Sequence, residues 1–182
     1  VSGNEEKILR NSRCKKASIA PWTSYKVKPM KNPDAKQPVV VGFGPAGMFA
    51  ALVLAMAGAR PIILERGEDA ESRHEKVQKF WQTGELDVRS NVQFGEGGAG
   101  TFSDGKLNTG VNNHRIGWIL EQFVKAGARE EILYDAKPHV GTDVLLTVVQ
   151  NLRKRIIDLG GEVRFNSQVV DFLSENGQLT GL

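Results

Sequence analysis

The sequence is poor in cysteine and has no long apolar run. Cys14 is the one cysteine among 182 residues, which excludes an internal disulfide framework and any metal site built from several cysteines. The longest apolar run, within residues 48–57, is too short to cross a membrane and is followed by Gly58 and Arg60. The N-terminus lacks the charged start, apolar middle and small-residue cleavage site of a signal peptide. We therefore expect a globular, cytoplasmic protein that does not contact a membrane.

An excess of one charge is also missing. The chain has 24 basic and 21 acidic residues, a formal net charge of +3. Most of the surplus lies before Pro38, in a stretch interrupted by Pro21, Pro29 and Pro33. A basic stretch can bind nucleic acid, but the basic residues here do not have the spacing that would place them along one face of a helix. We interpret residues 1–37 as a linker or the remnant of a preceding domain and expect no nucleic-acid partner, with a non-catalytic basic interaction or nucleic-acid-binding module as one alternative.

Residues 38–182 have the alternating pattern of an α/β domain. A β-branched run at 39–41, a helix-favouring run at 45–57 and an apolar run at 62–64 predict a strand–helix–strand unit, whose short strands are buried on both faces. Further elements predicted by the same reasoning are helices at 69–81, 114–126 and 143–159, a third parallel strand at 163–165, and an antiparallel excursion starting at 169 and turning at 175–177. The expected core positions on these helices include Trp81, Trp118 and Phe123. The sequence thus predicts a Rossmann-type domain with a central parallel sheet, flanking helices and an antiparallel pair near the C-terminus.

A glycine motif links the first strand to the first helix of this unit. Gly42 permits a tight turn, Gly44 lets the backbone approach a pyrophosphate, and Gly47 lets the helix pack closely on the sheet. The helix begins with Pro45 and Ala46, and the free N–H groups of its first turn, to which proline contributes none, attract phosphate together with the positive end of the helix dipole. A strand, this motif and a helix in succession predict an adenine-dinucleotide site.

An acidic residue stands where the dinucleotide fold needs one. Glu65 ends the second strand, eighteen residues after Gly47, and its carboxylate can accept a hydrogen bond from a ribose 2′-hydroxyl. The same negative charge argues against a 2′-phosphate and so against NADP at this site. For Arg66 the sequence leaves three roles open: contact with adenine, a pair with Glu68, or a simple surface charge.

A second glycine-rich segment spans residues 94–107, with five glycines between positions 95 and 105. Successive backbone N–H groups in such a segment can form a concave anion site, to which Thr101, Ser103 and Lys106 add hydroxyl groups and a positive charge. We expect a second phosphate or ribityl contact here. The alternative is a mobile surface loop.

Three motifs together carry a resemblance. The motifs that carry this resemblance are GFGPAG followed by LERG, then NVQFGEGGAGTFSDGKL, and then PHVGTD with LGGEVRFNSQV. With these motifs the chain resembles a poorly characterised family of bacterial FAD-dependent dehydrogenases within the glutathione-reductase-like flavoproteins. The resemblance covers about residues 38–182 and implies an FAD-dependent oxidoreductase, with NAD(P)H as a candidate electron donor. It implies that the FAD pyrophosphate is lined by Gly42, Gly44, Pro45, Ala46 and Gly47, and that Glu65 holds the adenosine ribose. It also implies that the pyrophosphate and ribityl chain run beside Gly98, Ala99, Gly100 and Thr101, and that the backbone of Val169 faces the adenine edge.

Two departures limit what the resemblance implies. Many disulfide reductases of the group have a redox cysteine just after the glycine-rich segment, whereas this chain has Phe102 there, so thiol–disulfide exchange is not expected. The chain also ends at Leu182, before the substrate domain and late Gly-Asp motif of such proteins, so we expect an incomplete domain that is inactive alone. An NAD-binding dehydrogenase domain is the other alternative, but it leaves residues 95–105 without a role.

The sequence does not predict a catalytic acid or base. His74 and His114 lie on or beside predicted helices, where structural or solvated roles are expected, and His139 in a loop is a slightly better pocket candidate. Asp104 and Lys106 can face a flavin, although turn-forming and surface roles are equally open. The histidines show no metal-ligand spacing, and no metal site is predicted.

Overall fold

A three-stranded parallel sheet lies at the centre of the protein. The computed structural model describes residues 4–12, 14, 16–19, 25–32, 36–102, 105–107, 109–135 and 137–182; Ser103 and Asp104 lie outside this set. The strands are β1 (Val39–Val41), β2 (Ile62–Leu64) and β3 (Glu162–Arg164), in the order β1-β2-β3. Each strand pairs with its neighbour in parallel, so that Val40 faces Ile63 and Ile63 faces Val163.

Helices cover the sheet, and a separate hairpin follows it. The α-helices are α1 (Glu5–Asn11), α2 (Pro45–Met56), α3 (Ala70–Thr83), α4 (Arg115–Lys125) and α5 (Thr142–Asp158). Short 3₁₀ helices occur at Ala99–Phe102 and Glu130–Leu133, and the antiparallel pair β4 (Leu173–Glu175) and β5 (Gln178–Gly181) ends the chain. No helix in the described part of the chain is both long enough and apolar enough to cross a membrane.

The core lies between the sheet and helices α2 and α5. Ala51 and Leu52 of α2, Ile63 of β2, and Val148 and Leu152 of α5 are all fully buried. The β-branched residues of the strands and the aliphatic stripe of α5 supply most of this surface, and removing it from water is the main force that holds the layers together. The α/β class predicted from the sequence is confirmed, and the predicted parallel strands and helices match the observed ones to within two residues.

Three details of the sequence-based prediction are wrong. β1 is not buried on both faces, because it lies at the edge of the described sheet and leaves Val39 and Val41 45% and 54% exposed. The antiparallel excursion forms a strand only from Leu173 onward, not from position 169. Trp81 is 56% exposed instead of buried, since the last buried residue of α3 is Val77, one turn earlier.

The segment before β1 contacts the domain. Tyr25 and Val27 pack against the core, and the Tyr25 ring meets Trp118 edge-on at 5.4 Å between centroids. The N–H of Met30 donates to the carbonyl oxygen of Ala57 at 2.9 Å. Part of the stretch interpreted as a linker therefore packs on α2 and α4, whereas α1 has no buried residue.

Candidate functional site

The glycine motif forms a tight turn between β1 and α2. Gly42 has φ +89°, a left-handed conformation that favours glycine, and its N–H donates to the carbonyl oxygen of Leu64 at 2.7 Å. A side chain on Gly47 would collide with the carbonyl oxygen of Gly42, so the helix approaches the turn too closely for any other residue. The side chain of Phe43 points into the core and is fully buried. These are the backbone roles that the sequence predicts for the first and third glycines.

Gly44 differs from Gly42 because it needs no positive φ, and from Gly47 because no atom crowds it. Its φ of −73° suits any residue, and the nearest atom to an added Cβ would be the Cα of Gly98 at 3.9 Å. Gly44 is also the N-cap of α2, and no side chain caps the helix there. Pro45 has no N–H, so the first-turn N–H groups left for another acceptor are those of Ala46 and Gly47.

Glu65 lies directly beneath this turn. Its carboxylate is only 4% exposed; Oε2 accepts the N–H of Phe43 at 2.7 Å and Oε1 accepts the N–H of Gly67 at 2.8 Å. The backbone carbonyl of Glu65 accepts the N–H of Ser167, just after β3, at 2.8 Å. Segments that follow all three strands thus meet at Glu65, and the sequence did not reveal that its carboxylate also holds the turn in place.

Arg66 has a partner that the sequence did not indicate. Its guanidinium carbon lies 3.9 Å from the centroid of the Phe94 ring, a cation–π contact. Its Nε is buried and has no hydrogen-bond partner among the described residues. The pair with Glu68 is absent, because the carboxylate of Glu68 binds Lys76 at 2.8 Å.

The second glycine-rich segment packs against the first turn. The N–H of Gly97 donates to the carbonyl oxygen of Phe43 at 2.9 Å, and the N–H of Glu96 donates to that of Glu68 at 2.9 Å. A Cβ on Gly98 would stand 3.1 Å from Cδ of Pro45 and 3.3 Å from Cα of Gly44. The structure therefore brings the two glycine segments together, with Gly98 against the ring of Pro45 and the backbone of Gly44.

Gly98 leads directly into a short helix at the same site. Ala99, Gly100 and Thr101 belong to the 3₁₀ helix, in which Thr101 is buried and its N–H donates to the carbonyl oxygen of Gly98 at 3.3 Å. Thr101 therefore lies in the segment that packs against the turn, and its contact with a pyrophosphate or ribityl chain stays a prediction.

A fully buried arginine on α3 holds the second segment. The guanidinium of Arg73 donates to the carbonyl oxygens of Asn91 at 2.7 Å, Val92 at 2.7 Å and Glu96 at 2.6 Å. Burial lowers the pKa of Arg73 to about 10. The nearby carboxylates of Glu65 and Glu96 act in the opposite direction and raise this pKa. The guanidinium therefore stays charged at neutral pH and fixes the backbone that precedes Gly97.

Glu96 joins the same segment to two helices. Its Oε2 accepts the N–H of Ala70 at 2.8 Å and pairs with Nη1 of Arg153 at 2.9 Å, whose Nη2 reaches Glu71 at 2.8 Å. Oε1 of Glu96 is buried without a hydrogen-bond partner among the described residues. Burial raises the pKa of Glu96 to about 7, although Arg153 and the Ala70 amide act to lower it.

Sequence reasoning missed both Arg73 and Glu96, because a charged residue is usually exposed. Arg73 falls in a helix of charged composition and Glu96 among glycines, and neither position distinguishes a buried charge from a solvated one. The one usable signal was the run of glycines around Glu96, which indicates closely packed backbone.

An apolar cavity of about 710 Å³ adjoins the turn. It begins at Pro45 and Ala46, passes Gly97, Gly100 and Thr101, and extends between α2, α4 and α5. Its volume lies within the range of ligand pockets, roughly 300–1,000 Å³.

The remaining residues that the sequence predicts for the site, or considers for catalysis, lie outside the turn itself. Lys106 lines the cavity and forms an isolated antiparallel bridge with His139. Val169 lies beyond β3, and neither its N–H nor its carbonyl oxygen is hydrogen-bonded to another described residue. His74 stacks on Phe102 on the exposed side of α3, and His114 is the N-cap of α4.

Comparison with known proteins gives a relative but no function. A protein of Clostridium beijerinckii described as uncharacterized is 56% identical over 146 residues, which cover 80% of this chain. The match covers 27% of the relative, so the chain spans little more than a quarter of that protein's length. No known family model matches the sequence.

Proposed function

We propose that this chain is the FAD-binding portion of an oxidoreductase, with a Rossmann-type fold whose turn at 42–47 holds the cofactor's diphosphate. The surroundings of Gly44 carry this proposal. The residue needs no positive φ and has no crowding neighbour in the protein, so its lack of a side chain serves something outside the protein. It stands at the uncapped N-terminus of a twelve-residue helix, where backbone N–H groups and the helix dipole favour a phosphate.

Glu65 supports the adenosine end of the proposal. Its carboxylate is held beneath the turn by two backbone amides, and each oxygen retains a lone pair for a ribose hydroxyl. Negative charge at this position disfavours a 2′-phosphate. The unpaired backbone of Val169, beyond β3, is available to an adenine edge.

The second glycine segment supports FAD over NAD. Gly98, Ala99, Gly100 and Thr101 follow directly from the contact with Gly44 and Pro45, and would run along the pyrophosphate and ribityl chain. An NAD-binding domain would need the first turn and the acid but not this segment. FAD would supply hydride or electron transfer, while the chain's residues bind it and orient it.

Two further groups have subsidiary roles in the proposal. Arg66, whose guanidinium lies over the ring of Phe94, keeps a charge near the adenosine side, and Lys106 lies at the cavity. NAD(P)H is a candidate electron donor for the longer protein. A cytoplasmic location is part of the same proposal and is supported by the single cysteine.

The test is the visible absorption spectrum of the purified protein, followed by mass identification of the chromophore released on denaturation. We expect flavin absorption and a released molecule with the mass of FAD. If the protein is colourless, it is titrated with FAD, NAD⁺ and duplex DNA. Binding of NAD⁺ without FAD would contradict the proposal in favour of a dehydrogenase domain, and salt-sensitive binding of DNA alone would contradict it in favour of a basic interaction module.

A further inference from the structure

The second glycine segment contains a fully buried carboxyl group. The side chain of Glu96 has no solvent exposure, and its Oε2 accepts both the N–H of Ala70 at 2.8 Å and Nη1 of Arg153 at 2.9 Å. Its Oε1 is buried with no hydrogen-bond partner among the described residues. A buried carboxylate is unfavourable unless its charge is paired and its oxygens are hydrogen-bonded. The packed segment therefore favours the neutral carboxyl.

The charged groups near Glu96 oppose one another. Asp69 and Glu71, at the start of α3, disfavour a further negative charge, whereas Arg153 of α5 favours it. Arg153 is shared, because its Nη2 reaches Glu71 at 2.8 Å. Arg73 also favours a charged Glu96, but its guanidinium is already bound to three backbone carbonyl oxygens. Burial outweighs both cations and raises the pKa of Glu96 to about 7.

Opening of the segment would bring this carboxyl into water. The N–H of Gly97 donates to the carbonyl oxygen of Phe43 at 2.9 Å, and the N–H of Glu96 donates to that of Glu68 at 2.9 Å. These two backbone bonds hold the segment in place. The residues on either side of Glu96 are glycines, with φ +118° at Gly95 and +82° at Gly97, and glycine enters and leaves this region without a steric penalty. The backbone can therefore turn at these two positions.

We propose that the proton on Glu96 controls whether residues 95–101 stay packed against the turn. With a neutral carboxyl the segment remains closed, and loss of the proton shifts the equilibrium toward an open segment with the carboxylate in water. Because the closed segment favours the neutral form, rising pH stabilises the open form relative to the closed one. The shift takes place between the ordinary pKa of 4.5 and the pKa of about 7 in the closed segment.

Hydrogen exchange of the ligand-free protein, followed at single amides by NMR, tests this control. The amides of Glu96 and Gly97 should exchange faster than that of Leu152, which lies in the core of α5, because they open without unfolding of the domain. After correction for intrinsic rates, their opening equilibrium should rise about tenfold or more between about pH 5 and pH 8, since a shift of one pKa unit corresponds to a factor of ten.

Variants assign the effect to the carboxyl group. Glu96→Gln has no proton to lose, so the opening of the same amides should not depend on pH. Glu71→Gln removes a neighbouring negative charge and frees Arg153 for Glu96, so the rise should be smaller and should level off at a lower pH. Glu75→Gln, on an exposed glutamate of the same helix, is the matched control and should behave like the wild type. If Glu96→Gln does not fold, the comparison of Glu71→Gln with Glu75→Gln decides the outcome.

The consequence for a ligand rests on the proposed function. FAD would bind beside the closed segment, so saturating FAD should slow exchange at Glu96 and Gly97, most strongly at high pH. The measurement on the ligand-free protein does not depend on FAD. A pH-dependent opening in a protein that takes up no FAD would support this inference while the proposed function fails.

Three results would overturn the inference. Equal pH dependence in the wild type and Glu96→Gln would show that another group titrates. Exchange at Glu96 and Gly97 as slow as at Leu152 would show that the segment opens only with the whole domain. Identical behaviour of Glu71→Gln and Glu75→Gln would separate the opening from the charge of Glu96. FAD uptake alongside any of these results would leave the proposed function standing.

Discussion

At the scale of single residues, the glycines of the first turn are required for different physical reasons. Gly47 lies against the carbonyl oxygen of Gly42, and Gly44 faces open space. We expect Gly47→Ala to lower the free energy of unfolding by about 3 kcal/mol, because overpacking at a rigid backbone contact has no side chain that can move. Urea unfolding followed by circular dichroism measures this.

Gly117 provides the matched control for this substitution. It lies in the first turn of α4 with nothing within 4 Å of an added Cβ. Gly117→Ala should be neutral or stabilise by about 0.5–1 kcal/mol through helix propensity. Equal stability of the two variants would contradict the close contact at Gly47.

Glu65 is expected to serve the fold and the ligand together. The Glu65→Gln substitution replaces one carboxylate oxygen by an NH₂ group, which cannot accept a hydrogen bond. The N–H of either Phe43 or Gly67 therefore loses its acceptor inside the protein. We expect a loss of about 1–3 kcal/mol in unfolding free energy, the usual consequence of leaving a buried donor unpaired. Glu162→Gln, on an exposed carboxylate, should leave the urea midpoint unchanged. An unchanged midpoint for Glu65→Gln as well would mean that these hydrogen bonds do not stabilise the turn.

Glu96 predicts a pH dependence of stability. Burial raises the pKa of Glu96 to about 7 from an ordinary value of 4.5, while Arg153, Arg73, Glu71 and Asp69 are the charged groups near it. Below pH 4.5 the carboxyl is neutral in both the folded and the unfolded state. As pH rises from 4.5 to 7, the unfolded chain ionises first, so this group lowers the stability of the fold across that window.

Urea unfolding at several pH values tests this dependence. The unfolding free energy of the wild type should fall relative to that of Glu96→Gln between pH 4.5 and 7, and the difference should level off above that range. A wild type that gains stability relative to the variant over this window would show that the ion pair with Arg153 outweighs the burial of the carboxylate.

At the scale of elements, Arg73 joins α3 to the segment that contains Asn91, Val92 and Glu96. A lysine cannot place three donors in the fork geometry that these carbonyl oxygens require. Arg73→Lys should destabilise the protein by about 3 kcal/mol, since each lost bond to a charged donor contributes about 1.5–3 kcal/mol. Hydrogen exchange of the amides at 91–97 should accelerate. Arg129→Lys, on an exposed arginine, is the control, and equal exchange in both variants would contradict the role of Arg73.

The helices and parallel strands were predictable because their signals are local. An apolar stripe, a proline at the first turn of α2 and a glycine after its end are all present in the sequence. The position of β1 at an edge and the exposure of Trp81 depend on which elements pack against them. The sequence does not contain that information in any short window.

At the scale of the whole molecule, the two predicted residues that define the dinucleotide motif, Gly42 and Glu65, meet at the carboxyl ends of the strands. Gly42 follows β1 and Glu65 follows β2, and the order of a parallel sheet places them together. Their spacing was therefore readable from the sequence. The burial of Arg73 and Glu96, which hold the second glycine segment, could not be predicted from the sequence. Whether a charged residue is buried is decided only when distant segments of the chain assemble.

The central claim, that the turn at 42–47 holds a dinucleotide diphosphate, is tested most directly at Gly44. After removal of any bound flavin, FAD is titrated into the wild type and Gly44→Ala, and binding is followed by quenching of flavin fluorescence. The account predicts that both proteins have nearly the same unfolding midpoint, because the added Cβ would meet only the Cα of Gly98 at 3.9 Å, and that the variant binds FAD at least about tenfold more weakly, a difference of about 1.4 kcal/mol or more. Equal affinity of the two folded proteins for FAD would contradict it.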